Sequence, residues 1–219
     1  IHADILHTVK GEDFNFRYGY KENYIRREVA DYNAHTYKVH IPSFIDIGAG
    51  SGKVIDFMRG DDKNEFYIKE KLGIEIADLQ ADDLVRRGIG IIGRDFFDTV
   101  LIDKEFSILF SNPPYSIFKE WCNKIFSEAR ATLIYLVIPE RWKDDAEFAG
   151  RARKKGNLSV IGSFDFLEAD RPARAKVDVI RIYNSQCREQ KDVFAEWVEN
   201  HIGSFEVAEE LPEEAPETG

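Results

Sequence analysis

Cysteine is scarce, long apolar runs are missing, and charge is not evenly spread. Only two cysteines, Cys122 and Cys187, occur in 219 residues. That is too few for a disulfide framework or a cysteine-rich zinc site, and no metal site is expected. No run of about 18 apolar residues exists, so no membrane-spanning helix is expected. The stretch "IHADILHTVKGEDF" is polar and mixed, unlike a signal peptide. A reduced, cytoplasmic protein without a membrane partner is the expectation.

The formal charge is −10, which by itself argues against a nucleic-acid partner. The distribution weakens that argument. Residues Phe205–Gly219 hold six Glu and no Lys or Arg, which leaves the body near −4. Between Arg141 and Lys176 there are nine basic and six acidic residues. Sorted charge of this kind permits a basic face on an acidic protein. The acidic, Pro-containing 205–219 stretch has little to bury and reads as a disordered tail. Residues 1–204 read as one domain, with 1–40 as a helical lead-in.

What is present alternates helical and strand-like patterns. A charged helix is expected over Lys21–His35. "IPSFIDIGAG" then reads as a buried strand, and "GKVIDFMRG" as a helix closed by Gly60. "EFYIKEKLGIEI", "IGIIGRDFFD", "FSILF" and "ATLIYLVIP" hold further strands, with "DLQADDLVRRG", "SIFKEWCNKIFSEA" and "DDAEFAGRARKKG" as helices. "LSVIGSFDFLEAD" and "VDVIRIY" have no room for a helix between them and should pair antiparallel. A last helix is expected in "QKDVFAEWVENHI". Apolar strands alternating with helices predict an α/β fold, a mostly parallel sheet with helices on both faces. Ligands of such sheets sit outside the carboxyl ends of the strands.

Those ends carry specific residues. After the first apolar strand comes Asp46-Ile47-Gly48-Ala49-Gly50-Ser51-Gly52. It is not a dinucleotide fingerprint, because Lys53 stands where the third Gly belongs. It is not a P-loop either, because Ile47 and Val54 break that pattern. A D-x-G-x-G turn remains, in which backbone can approach a ligand closely. Glu75 after the next strand can accept from a ribose diol. Asp95 can accept from an exocyclic amine, and Phe96 can pack on a purine. Then comes Asn112-Pro113-Pro114-Tyr115. The paired prolines stiffen the loop, and Pro113 donates no N–H. The Asn112 Oδ1 and the Pro113 carbonyl are two fixed acceptors for one NH2 group. Tyr115 is a platform for a planar ring.

Over residues 44–183 the chain resembles the class I S-adenosylmethionine-dependent methyltransferases, and more narrowly those carrying [DNS]-P-P-[YFW]. With "DIGAGSGK", "NPPY", "LVIPERW" and "FDFLEADRPARAKVDVIRIY" it looks like phage and prophage DNA adenine-N6 methyltransferases. The resemblance implies a Rossmann-like methyltransferase fold with seven strands and S-adenosylmethionine as cofactor. It implies that Asp46, Gly48, Ala49 and Gly50 line the methionine part, that Glu75 holds the ribose, and that Ile76, Asp95 and Phe96 meet the adenine. Asn112, Pro113, Pro114 and Tyr115 then form the catalytic corner, with Asn112 also near the cofactor. Phe164 or Phe166 is expected to stack on a flipped base. Arg171, Arg174 and Lys176, and the basic run Arg151, Arg153, Lys154 and Lys155, are expected on phosphates. DNA is the expected partner. RNA or protein-glutamine methylation, or a silent fold that pairs with an active subunit, are the alternatives. Little room remains for a target-recognition domain, so sequence specificity is expected to be low, or to be supplied by a homodimer or partner subunit.

Overall fold

The structure, a computed structural model, describes residues 26–31, 36–58, 66–165 and 176–184. The chain divides after residue 188, and every described residue lies in the first part. The expected last helix, the boundary at 204 and the acidic tail lie outside the described residues.

The strands are β1 (Arg26–Asp31), β2 (Thr36–Ile47), β3 (Phe66–Ile74), β4 (Gly90–Gly93), β5 (Glu105–Ser111), β6 (Arg130–Pro139), β7 (Asn157–Asp165) and β8 (Lys176–Tyr183). The helices are α1 (Lys53–Phe57), α2 (Asp78–Arg86), α3 (Phe118–Glu128) and α4 (Ala146–Lys155), with a short 3-10 helix over Glu140–Asp144 after β6. Seven strands run in the order β4-β3-β2-β5-β6-β8-β7. The ladders from β4 to β6 are parallel, and β8 is antiparallel to both β6 and β7. This is the expected mostly parallel sheet closed by an antiparallel hairpin.

The near-continuous apolar runs are explained by two cores. On β6, Ile134, Leu136 and Ile138 join a cluster with Phe118, Cys122 and Ile125 of α3 and Phe148 and Ala152 of α4. Leu133, Tyr135 and Val137 of the same strand face a second cluster with Ile55 of α1 and Leu84 of α2. Both faces of the strand are covered from Leu133 onward, so every position from there to Pro139 is nonpolar or aromatic. Cys122 is buried in α3, and burial pushes its thiol up, away from reactive thiolate. Among the described residues, no helix is long and apolar enough to cross a membrane.

One expectation is overturned. Residues Arg26–Asp31, placed inside a helix over Lys21–His35, form a strand. The cause is an edge left open on β2. β5 pairs only with Phe44–Ile47 on that side, whereas β2 starts at Thr36. β1 fills the free half, with Arg26 opposite His40 and Val29 opposite Tyr37. Backbone pairing outweighs the helix-favouring composition of a charged segment.

Candidate active site

Four loops leave the sheet at one level. Ile47 pairs with Ile74 of β3 and with Ser111 of β5, and Ile74 pairs with Gly93 of β4. The register therefore brings Gly48–Gly52, Glu75–Ala77, Asp95–Thr99 and Asn112–Tyr115 to a single rim. It is the carboxyl-end rim where the fold places ligands.

The first loop turns on three glycines with positive φ: Gly48 at 79°, Gly50 at 54° and Gly52 at 74°. The N–H groups of Gly48 and Ala49 donate to the Ile74 carbonyl at 2.9 and 3.1 Å. Glu75, 6% exposed, fixes the rest. Its Oε2 accepts from the Gly50 N–H at 2.6 Å and its Oε1 from the Ala77 N–H at 2.8 Å. A carboxylate oxygen has more than one acceptor direction, so both remain able to accept from a diol. Asp46 lies beneath the loop and is 2% exposed. Burial, and then the nearby Glu75 charge, push its carboxyl up to about 7. Ile76 is 68% exposed at the same rim, an apolar face open to a ring.

The loop is also locked from behind. Arg87 donates to the Ser51 carbonyl at 2.6 Å and pairs with Asp83 at 3.1 Å and with Asp56. A Cβ on Gly52 would stand 2.5 Å from Leu84 Cδ2 and 2.7 Å from Arg87 Nη2. Gly52→Ala is therefore expected to cost about 2–4 kcal/mol, combining the positive φ with overpacking. Urea unfolding at equilibrium measures it, and a loss below the error of the method would show that the loop yields.

The β4 loop folds on its own Asp95. Its Oδ1 accepts from the Phe97 N–H at 2.8 Å, and its carbonyl accepts from Thr99 N–H and Oγ1 at 3.0 and 2.6 Å. An open cleft of about 460 Å³ runs past Asp95, Arg94, Asp98 and Lys104. The expectation for Phe96 needs correction. Its ring is 2% exposed and packs 4.4 Å from Trp121, so it belongs to the core and offers no face to a ligand. The neighbouring Phe97 is the exposed ring.

At the β5 loop Asn112 and Pro114 are exposed, Pro113 is buried and Tyr115 is half-buried against the second core. The Ile117 N–H donates to the Pro114 carbonyl at 3.1 Å and closes the turn. Arg141, in the turn after β6, donates to the Tyr115 carbonyl at 2.6 Å. Its guanidinium lies 5.3 Å from the Phe118 ring centroid. Burial raises the Tyr115 phenol, which stays neutral at working pH.

Two residues that sequence reasoning missed join these loops. Trp121 Nε1 donates to Ser111 Oγ at 3.0 Å, and Ser111 Oγ donates to the Ile47 carbonyl at 2.7 Å. The Trp121 ring also lies 3.6 Å from where a Gly48 Cβ would stand, and packs against Phe96 at a tilt of 39°. One indole thus touches the Gly loop, the β4 loop and the end of β5, from which the fourth loop departs. Its spacing from Phe118, Cys122 and Ile125 marks it as a core-facing helix position, but nothing in that pattern marks it as a link between loops.

On the other side of the rim, Phe164 of β7 is 53% exposed. A Cβ on Gly162 would stand 2.7 Å from the Phe164 ring, so the ring lies across that glycine. Lys176 is exposed at the start of β8, opposite Asp165. Phe166, Arg171 and Arg174 lie outside the described residues. The basic run of α4 does not reach the rim. α4 leads from the end of β6 to the start of β7, and so runs away from the loops. Lys155 donates to the carbonyl of Ala129, just ahead of β6, at 2.6 Å, and Arg151 pairs with Glu147 at 2.8 Å. The end of the helix that carries Arg153, Lys154 and Lys155 therefore lies at the opposite end of the sheet.

No protein-family model matches the chain, and no curated protein matches it in sequence. Solved structures do match. One is a dimethyladenosine transferase from Plasmodium falciparum, at a TM-score of 0.54 and 14% identity, covering 71% of this chain and 60% of that one. Another is the 23S rRNA methyltransferase ErmE, at 0.53 and 10% identity, covering 65% of this chain and 61% of that one. A third is in the E. cuniculi Mtq2-Trm112 complex, responsible for methylation of the eRF1 translation termination factor, at 0.50 and 14% identity, covering 67% and 87%. The chain spans about three-fifths of the length of the first two. It shares the Rossmann-like fold of these methyltransferase structures.

Proposed function

We propose that the protein transfers a methyl group from S-adenosylmethionine to the N6 amine of adenine in a nucleic acid, with DNA as the first reading. The observation that carries this is the convergence at one rim of an open Gly loop, a buried carboxylate pair and the Asn112–Tyr115 corner. The residues fit the cofactor. Asp46 and Glu75 offer negative charge to its cationic methionine part, Glu75 can still accept from the ribose, and exposed Ile76 offers an apolar face to its adenine. When bound, the cofactor supplies an electrophilic methyl group.

The chain's own task is to prepare the amine. Its lone pair is delocalised into the ring and nucleophilically weak. Asn112 Oδ1 and the Pro113 carbonyl accept its two hydrogens and favour a tetrahedral nitrogen. The lone pair would then be free for the methyl group that the bound cofactor would supply, and the amine would lose its proton to solvent. Such positioning can supply roughly 7–11 kcal/mol of a barrier. Tyr115 and Phe164 hold the ring from its faces, offsetting part of the cost of taking a base out of its stack.

DNA is favoured by the resemblance of "DIGAGSGK", "NPPY" and "LVIPERW" to DNA adenine methyltransferases. RNA is favoured by the rRNA methyltransferase and dimethyladenosine transferase among the structural matches. Incubation with methyl-labelled cofactor and matched DNA and RNA pools separates them, with the product nucleoside identified by mass. N6-methyladenine in DNA is expected; label only in RNA selects the second reading, and label in neither sinks both. In the same assay Tyr115→Ala should lower kcat/KM for the acceptor about fivefold to 150-fold, from a stacking loss of ~1–3 kcal/mol. Tyr115→Phe should retain most of it.

A further inference from the structure

We infer that Asp178 is a positioning residue that holds both aromatic walls of the acceptor site, Tyr115 and Phe164, through one buried carboxylate. Asp178 lies on β8 between Ile138 of β6 and Ser163 of β7, and is 0% exposed. Its Oδ1 accepts from Ser163 Oγ at 2.6 Å. Its Oδ2 accepts from Trp142 Nε1 at 2.8 Å and pairs with Lys143 Nζ at 2.9 Å. Burial acts to raise its pKa, but these three donors outweigh it and hold the carboxyl below the usual carboxylate range. The neighbouring charges are Lys143 and Glu140, which pair with each other at 3.3 Å.

Each donor has a neighbour at the rim. Trp142 and Lys143 belong to the turn that carries Arg141, and Arg141 grips the Tyr115 carbonyl and covers Phe118. Ser163 directly precedes Phe164, whose ring rests on Gly162. Tyr115 and Phe164 come from loop and strand segments far apart in sequence, and Asp178 is the group bonded to the immediate supports of both. Packing alone does not call for a carboxylate here, because apolar residues commonly replace a buried ion pair without loss of stability. A fixed geometry does call for one, since three directed bonds set the turn and the hairpin against each other.

The acceptor role rests on the function proposed above; the mechanical link does not. Hydrogen exchange followed by mass spectrometry on the full chain tests the link. The Ile117 amide, bonded to the Pro114 carbonyl, reports on the Asn112–Tyr115 turn. Asp178→Asn should speed its exchange at least about tenfold while β3 and α2 are unchanged. Arg141→Ala, at an exposed residue, should do the same without disturbing a buried charge, so the test survives if the Asp178 variant does not fold. Methyl transfer supplies the second arm. Asp178→Asn should lower acceptor kcat/KM about tenfold or more, with cofactor Kd within about twofold. The double variant should lose no more than the worse single one. Unchanged exchange at Ile117 in both variants, or additive losses in the double variant, overturns the inference. A wild-type protein that methylates nothing overturns the proposed function and the acceptor role, whereas a loosened turn would then still establish the link.

Discussion

Asn112→Ala is expected to lower methyl transfer about 10²–10³-fold while the cofactor binds with nearly unchanged affinity. That is the size of the loss when one preorganised hydrogen-bonding group at a reacting centre is removed. Asn112 is exposed at the rim, whereas Pro113 is buried and its position is fixed by packing. Removing the side chain deletes one of two acceptors and leaves the other in place. The amine would still be found, but it would stay planar and weakly nucleophilic. The loss should thus fall mainly on kcat. Asn112→Asp keeps an acceptor of the same reach and should retain part of the activity. Steady-state kinetics with a labelled methyl group, alongside cofactor titration, separates the two effects. Full activity in the alanine variant would falsify the role of this corner.

The second large effect belongs to Asp46. Its carboxyl titrates at about 7 in the folded chain, against an ordinary 3.8. A raised carboxylate pKa is a penalty on the folded state. It is fully present above about pH 7 and is relieved as pH falls toward 4, because the folded chain then binds a proton that the unfolded chain does not. Three units correspond to at most about 4 kcal/mol. Asp46→Asn should therefore raise the melting temperature of the free protein at pH 8, and the gain should shrink by pH 5. The same substitution should weaken cofactor binding. A cation next to Asp46 favours its ionised form, so binding should release a proton below pH 7, and affinity should rise up to about tenfold per pH unit from 6 to 7. Calorimetry in buffers of different ionisation enthalpy measures that proton. Identical proton release by wild type and the Asn variant would assign it to another group.

The sheet and its rim were legible because their causes are local. Apolar runs cut by Gly and Pro mark strands that end in turns, and "DIGAG", Glu75, Asp95 and "NPPY" each follow such a strand, so all four lie at one rim, although crossovers order them there as Asp95, Glu75, "DIGAG", "NPPY". What escaped depends on contacts distant in sequence. Which of two adjacent rings, Phe96 or Phe97, turns inward is decided by the bend over Asp95 and by Trp121. β1 exists because β2 outruns β5, a matter of register that no single segment carries. Nothing in "VDVIRIY" singles out Asp178, because its three donors arrive from β7 and from the turn after β6. The basic run of α4 was read by composition, whereas its direction follows from the two strands it connects.

β2 is bonded along nearly its whole length on both sides. β3 follows it from Val39 to Ile47, while β1 holds the other edge up to His40 and β5 from Phe44. Slippage by one residue would swing Asp46 to the opposite face and carry Gly48 off the rim. The ladders to β3 and to β5 would both have to break for that error to occur. The place of Asp46 is thus read twice, once against Gly73 and once against Phe110, and a strand that satisfies only one of those neighbours cannot seat its carboxylate at the glycine turn.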